Sequence, residues 1–535
     1  MPSERVQTHH QPQFLDFTET IFDNVHGFIP LTDIEYRIIN TQEFQRLRNI
    51  RQLGLLDYIF PGALHTRFNH SIGVLYVADK MMKSLQVKGH FLDGDENRQI
   101  IRLAGLLHDI GHYPWSHVTE SVVIEDLKKK ICVQPQSGDK IIVTSGSSNS
   151  GTSEPELFEQ EKIDILNASP CHTINKTFNE SRNYSLDFAH HERFASVVIE
   201  KSEIKDFLAV RYSPDEVRRI SQIIAGTTPG PEKALIHSEL DADRFDYLLR
   251  DSKNTGVTYG LFDLDQIIRN LDYSTDAPEG TSGLFIKKNG RKAVEDFLLA
   301  RYSLYTTVIY QKTSIGFQKM ANIVYDGLLE RNQIESYFDL IKYFDDGEIE
   351  KFYNYNDLYI LQKIRSISKG EIPIEDNSQY TRNADLIKNC CEKIIKRKPL
   401  KMVMEKRQII DKSALDSSSE FDKFLNEPSI IDEIVRLAQV EKYWYIPSEV
   451  GSSITSLNPL LPVDGVKVKS RDKEESILIE GEDGLPIFLI DEDSLIIKQL
   501  ANSRLKISAI YTKDEEYKQK IKSAFKKWND NQRNT

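Results

Sequence analysis

His70, the adjacent pair His108 and Asp109, and Asp243 much further along are the residues of this chain whose types could do chemistry together. Neutral imidazole and carboxylate suit a borderline first-row divalent cation such as Mn, Fe, Co or Zn, and carboxylate oxygens also serve Mg. A lone His-Asp pair is ordinarily a core histidine beside a cap. Consecutive residues ligate one ion only where the backbone lets both point inward. Here the pair ends an apolar run (102–107) and is followed by Gly111 and Pro114, so a helix ending deep in a core is what the local sequence predicts. Further histidines follow. His112 stands four residues beyond His108 and shares its face if the helix continues. His117 comes next, and His191 is followed directly by Glu192. Imidazole can hold or release a proton near neutral pH, so these are candidates for acid-base work.

Helices must position these groups. Apolar residues recur at three-to-four spacing over 34–53, 72–87, 98–110, 191–209, 214–225 and 239–251, and the pattern continues through 291–343 until a break near 347–349. Thr32 followed by Glu35 reads as a capping box at the start of the first helix. Residues 128–187 change character to Ser-, Gly- and Asn-rich sequence, which reads as a flexible insertion with a short hairpin at 131–144. Beyond about 445 the segments 476–480, 485–490 and 504–512 alternate like strands, with a helix at 514–528. The expectation is a mainly α protein with a small C-terminal α+β lobe. Its parts are a catalytic body (1–127 and 188–343), the insertion (128–187), a helical extension (344–444) and the lobe (445–535).

The totals bound the function. At 535 residues the chain exceeds one ordinary core. A formal charge of -12 argues against a general nucleic-acid binder but leaves a local basic pocket open. No apolar run reaches the ~20 residues a membrane span needs. The N-terminal stretch shows no apolar signal region. The four cysteines, Cys132, Cys171, Cys390 and Cys391, have no framework spacing. A reducing cytoplasm without structural disulfides is expected.

Five segments occur in a telling order: Asn-Thr-Gln-Glu-Phe-Gln-Arg-Leu-Arg-Asn-Ile-Arg-Gln-Leu-Gly (40–54), Phe-Pro-Gly-Ala-Leu-His-Thr-Arg-Phe-Asn-His-Ser-Ile-Gly-Val (60–74), Leu-Ala-Gly-Leu-Leu-His-Asp-Ile-Gly-His-Tyr-Pro-Trp-Ser-His (103–117), His-Glu-Arg-Phe (191–194) and Glu-Leu-Asp-Ala-Asp-Arg-Phe-Asp-Tyr-Leu-Leu-Arg-Asp (239–251). In these the chain resembles the HD-domain deoxynucleoside triphosphate triphosphohydrolases, over about 20–330 and more loosely over 385–535. The resemblance implies the HD helical fold and a divalent metal on His70, His108, Asp109 and Asp243. It implies phosphate contacts from His112 and His117, and a general acid at His191 supported by Glu192. Arg67, Arg244 and Arg301 would hold the triphosphate, although relatives commonly carry Lys where Arg244 stands. Asp241 would orient neighbouring ligands.

By the same resemblance, Gln52, Leu53, Tyr247 and Asp251 form a deoxyribose pocket, with Asp251 on the 3′ hydroxyl, and Tyr310 and Gln311 face the base. Asn40, Gln45 and Arg48, with Arg397 and Lys401 from a basic run, match a regulatory nucleotide site. Asn40 replaces the Asp that reads guanine in regulated relatives, which points to an activator other than GTP. The partners implied are deoxynucleoside triphosphates and further copies of the chain in a tetramer or hexamer. Two alternatives stay open at this stage. One is an HD-type phosphohydrolase acting on another nucleotide, and the other is a nucleotide sensor or nucleic-acid-binding protein.

Overall fold

The computed structural model describes residues 15–90, 94–132, 186–228, 230–377, 380–411, 420–453, 476–492 and 503–534. The helices that carry the site are α1 (Asp33–Ile39), α2 (Arg67–Val87), α3 (Asp95–Leu107), α4 (His117–Cys132), α5 (His191–Glu200) and α6 (Ala242–Thr255). They are followed by α7 (Arg291–Leu304) and α8 (Lys312–Glu330). The fold is mainly α, as the periodicity predicts.

Boundaries shift where local chemistry outweighs periodicity. The helix expected over 34–53 breaks after α1, because Thr41 caps a new short helix (Gln42–Gln45) that tightens into a 3-10 turn (Arg46–Asn49). The helix expected over 191–209 is likewise split, with Ser202 capping a second helix at Glu203–Ala209. At α1 the Glu35 carboxylate accepts the Thr32 backbone N–H at 2.9 Å and is held in turn by Arg102 from α3. The supposed insertion begins later than its composition suggests, since α4 runs to Cys132. The remainder of the expected hairpin at 131–144, and Cys171, fall outside the described residues.

Two glycines let the central helices approach. A Cβ at Gly105 would stand 3.2 Å from the Leu75 backbone, so a side chain there would push α2 and α3 apart by a few tenths of an ångström at their crossing. Gly73 on α2 is tighter, because a Cβ there would overlap the Asp246 carboxylate and the Arg250 guanidinium of α6. Those groups cannot retreat, since Asp246 is tied to Arg250 and His26, and Arg250 to Asp23. Gly73→Ala is therefore expected to destabilise the fold by about 1–3 kcal/mol, the usual cost of overpacking. It should also loosen whatever Asp246 orients. Thermal unfolding of the variant beside wild type measures this, and an unchanged midpoint would mean that α2 and α6 separate freely.

An antiparallel hairpin not anticipated from the sequence, β1 (Phe17–Asp23) and β2 (Gly27–Thr32), precedes α1. The C-terminal strands fall into two sheets. β3 (Leu271–Tyr273) and β4 (Leu284–Ile286) belong to the helical body. They form one sheet with β7 (Leu478–Glu480) and β8 (Pro486–Phe488), through parallel pairing of Ile286 with Ile479. A second sheet has the order β5-β9-β6, with β5 at Lys401–Asp411, β6 at Ile446–Ser453 and β9 at Ser503–Thr512. β5 lies inside the expected helical extension. The following helix α9 (Glu515–Asn534) packs Ile521, Phe525 and Trp528 into a small core with Phe424 and Ile434. Tyr511 on β9 donates to the Lys312 carbonyl at 2.9 Å, which ties this sheet to the start of α8. Cys390 and Cys391 are buried free thiols.

Candidate metal and phosphohydrolase site

His70 lies in the first turn of α2, fully buried. Its Nδ1 pairs with Asp246 Oδ2 at 2.7 Å, so the ring is oriented from behind and Nε2 faces forward, 2.8 Å from Asp243 Oδ1. α3 ends at Leu107, and His108 is its C-cap residue. The His108 Nδ1–H donates to the Gly105 carbonyl at 2.8 Å, leaving Nε2 as a bare lone pair. That nitrogen is buried with no hydrogen-bond partner. It lies 3.3 Å from Asp109 Oδ1 and 3.8 Å from Asp243 Oδ1. Ligating atoms of His70, His108 and Asp109 all fall within 4.8 Å of one another. Two imidazoles, each with its outer nitrogen tied back, and two carboxylates converge on one point, so the donor set fits a divalent cation. The charges agree. Burial opposes protonation of His70, but Asp243, Asp246 and Asp109 together push it up to about 10, so the position attracts positive charge. Burial alone would raise Asp109, yet the Arg67 guanidinium and neighbouring imidazoles hold it well below the usual carboxylate range.

Beyond Asp109 the chain turns sharply. Gly111 is required because a Cβ there would overlap the His191 carbonyl and the Ala195 amide of α5. Trp115 (φ 60) and Ser116 (φ 56) take the left-handed conformation, which side chains rarely adopt. Other elements over-determine this turn. Asp357 accepts the Trp115 N–H at 2.7 Å, and the Ser116 hydroxyl donates to the Arg51 carbonyl at 2.8 Å. The result brings His112, His117 and His191 together. The His112 ring stacks on His191 at 3.7 Å and 15°, and His117 lies 4.8 Å from His112. These three also place ring nitrogens within 4.8 Å. They make a poor metal cage, because the lone pairs of nearly parallel stacked rings lie in separate planes and do not converge. A proton-handling and anion-facing role suits them better.

The carboxylate on His191 is Glu120, not Glu192. Glu120 Oε1 lies 2.7 Å from His191 Nδ1 and accepts the His191 backbone N–H at 2.9 Å, while Oε2 meets His117 Nδ1 at 2.9 Å. Glu192 instead faces His237, 3.6 Å away, because consecutive helical residues do not share a face. Burial disfavours the imidazolium, but the Glu120 charge and hydrogen bond outweigh it and raise His191 to about 9. His112 is driven the other way by burial and by the positive charges of Arg67 and His191, and stays neutral.

The three arginines each meet a carboxylate. Arg67 donates to Asp109 Oδ2 at 2.8 Å and to the Ser116 hydroxyl at 3.0 Å. Arg244 pairs with Asp241, which also caps α6 by accepting the Arg244 N–H at 2.7 Å. Arg301 donates to Glu239 at 2.7 Å. The Tyr247 hydroxyl is 3.4 Å from that of Tyr305, and Asp251 pairs with His65 at 2.7 Å. The Gln52 backbone N–H donates to the His65 carbonyl, and Leu53 lies next in chain, half-buried against the core. The Tyr310 ring packs 5.7 Å from Tyr305. The Gln311 amide oxygen caps α8 by accepting from Thr313 and Ser314.

Of the regulatory set, Asn40 and Gln45 donate to the nearby carbonyls of Tyr36 and Ile39. Arg48 donates to Gln45 and lies over the Phe68 ring. Arg397 reaches the Tyr58 carbonyl, and Lys401 opens β5 opposite Thr512. These five do not contact one another as one cluster within the chain. The sequence reading missed Glu120, Asp246 and His65. The first two sit three residues after His117 and Asp243, the spacing at which helical side chains meet.

The HD domain model matches residues 67–145, which include His70, His108 and Asp109. The chain carries an HD domain. It is 29% identical over 348 residues to an uncharacterized protein of Methanocaldococcus jannaschii, covering 65% of this chain and 57% of that one. It is 30% identical to the uncharacterized YwfO of Bacillus subtilis, covering 58% and 56%. The chain thus spans little more than half the length of these curated relatives. It is also similar to the deoxynucleoside triphosphate triphosphohydrolase SAMHD1 of Gallus gallus, at 28% identity over 50% of this chain and 40% of that one. Among solved structures, a hypothetical protein from Aquifex aeolicus superposes with a TM-score of 0.61 at 23% identity, covering 95% of this chain and 99% of that one. A phosphohydrolase from Bacteroides thetaiotaomicron superposes at 0.60 with 22% identity, covering 92% and 99%. At these identities the two establish the fold alone. Among the described residues no helix is long and apolar enough to cross a membrane.

Proposed function

We propose that this protein is a metal-dependent deoxynucleoside triphosphate triphosphohydrolase, converting a dNTP and water to a deoxynucleoside and tripolyphosphate. The observation that carries the reading is the cluster of buried His70, His108 and Asp109 with half-buried Asp243, beside a carboxylate-supported His191. The similarity to SAMHD1 from several organisms supports it. A divalent cation held by those four residues would supply Lewis acidity toward phosphate oxygen and water.

The chain's own groups do the rest. The proton on His191 Nδ1 is held by Glu120, which leaves Nε2–H to protonate the departing 5′ oxygen as the bond to the α-phosphorus breaks. Water oxygen joins that phosphorus. Neutral His112 and exposed His117 face the anion, and Arg67, Arg244 and Arg301 place positive charge around it. Leu53 and Tyr247 would crowd a 2′ hydroxyl, while Asp251 accepts the 3′ hydroxyl and Gln52 lines the same pocket. An oligomer, a cytoplasmic setting and activation through Asn40, Gln45, Arg48, Arg397 and Lys401 of adjoining copies belong to the same proposal.

The test is to incubate purified protein with Mn or Mg and each of the four deoxynucleoside triphosphates, in water enriched with heavy oxygen. Tripolyphosphate carrying one label, with unlabelled deoxynucleoside, is the expected product pair. Release of pyrophosphate or orthophosphate first, or label in the nucleoside, would assign the site to different chemistry.

A further inference from the structure

His65 was assigned no role by its motif, yet it lies buried against Asp251 in the proposed sugar-side pocket. Its side chain is only 3% exposed, and its Nε2 lies 2.7 Å from Asp251 Oδ1, whose side chain is 5% exposed. An ionised carboxylate only accepts, so Nε2 must carry the proton and donate. The other nitrogen, Nδ1, is buried and makes no hydrogen bond. The ring therefore spends its one donor on Asp251 and on nothing else. The backbone clamps it from both sides. The Gln52 N–H donates to the His65 carbonyl at 3.2 Å, and Arg51 bridges to Thr66. Nearby, the Gln52 side-chain oxygen is also buried without a partner. With Oδ1 taken by His65, the Asp251 carboxylate has its second oxygen left to receive a ligand hydroxyl.

We infer that His65 is a positioning residue for sugar recognition: by tying down Asp251 Oδ1 it aims Oδ2 at a ligand hydroxyl and so sets the preference for a 3′ hydroxyl over 3′ hydrogen. The inference rests on the proposed dNTP reading of the same pocket. Without His65 the Asp251 side chain gains rotational freedom, and the hydroxyl loses a directed acceptor. A hydrogen bond to a charged acceptor changes affinity by about tenfold or more, so the effect is of that order.

The experiment compares kcat and KM for dATP and 2′,3′-dideoxy-ATP in wild type, His65→Phe, His65→Gln and Asp251→Asn. Wild type should prefer dATP by about tenfold or more in kcat/KM, mostly through KM. His65→Phe keeps a planar ring, slightly larger than the imidazole, but removes the donor, and its ratio should fall toward that of Asp251→Asn. His65→Gln can return an N–H near the Nε2 position and should restore part of the ratio. Thermal midpoints check that each variant is folded. A wild-type preference that persists undiminished in His65→Phe overturns the role of His65 alone. Equal use of both nucleotides by wild type overturns the sugar-pocket reading and the role of His65 with it.

Discussion

Asp109→Ala is expected to lose both the bound divalent metal and turnover of deoxynucleoside triphosphates, the latter by about a thousandfold or more, as removal of several kcal/mol of transition-state stabilisation requires. Asp109 stands at the crossing of three functions. Its oxygens lie 3.3 Å from His108 Nε2 and 3.7 Å from His70 Nε2, and one accepts Arg67 at 2.8 Å. Alanine therefore also leaves the Arg67 guanidinium buried without its partner, which by itself costs several kcal/mol of stability. Asp109→Asn separates the two effects, because its amide oxygen still accepts from Arg67 while the ligand charge is gone. The measurements are metal content by mass spectrometry, thermal unfolding with and without added Mn, and initial rate. Asp109→Asn should fold with a near wild-type midpoint in metal-free buffer and gain little from metal, because stabilisation by a ligand follows its affinity. A full equivalent of tightly held metal with wild-type rate in Asp109→Ala would remove the cluster from the mechanism.

The second large effect belongs to the His191 and Glu120 pair. His191→Ala should lower kcat by about 10²–10⁴ while metal content stays the same, since a general acid contributes on that scale. Glu120→Gln should act through pH. Glu120 raises His191 to about 9 against the opposing pull of burial. The acid form, and hence kcat/KM, should therefore be maintained through neutral pH and fall as pH rises through about 9. Without the Glu120 charge, burial is opposed only by the charges of Glu192 and Asp109, so the alkaline limb should move down by about a unit or more, toward the ordinary histidine value of about 6.5. Stability follows the same sign. A folded value above the unfolded one stabilises the protein fully below about 6.5, and that contribution disappears as pH climbs through about 9. A kcat/KM profile whose alkaline limb is unmoved in Glu120→Gln would show that another group supplies the proton.

The reagents were legible in the chain, and their partnerships were not. Histidine and aspartate carry their chemistry with them, and helical periodicity is a local property. His70, His108, Asp109 and Asp243 could therefore be gathered as candidates, and the mainly α architecture read, before any coordinates. Which carboxylate serves which imidazole depends on how helices pack, and that is set by contacts far apart in sequence. The resemblance implied Glu192 as the support of His191, yet consecutive residues diverge around a helix, and the group that arrives is Glu120, 71 positions away. It arrives because Gly111 lets α5 close on the turn after the His-Asp pair. Asp246 likewise reaches His70 across 176 positions, through the contact that Gly73 permits. The same reasoning explains the C-terminal region. Alternation revealed strands, but not that the pairing of Ile286 with Ile479 joins two of them to the helical body, because every strand offers the same backbone hydrogen bonds and its partner is set by packing between segments far apart in sequence.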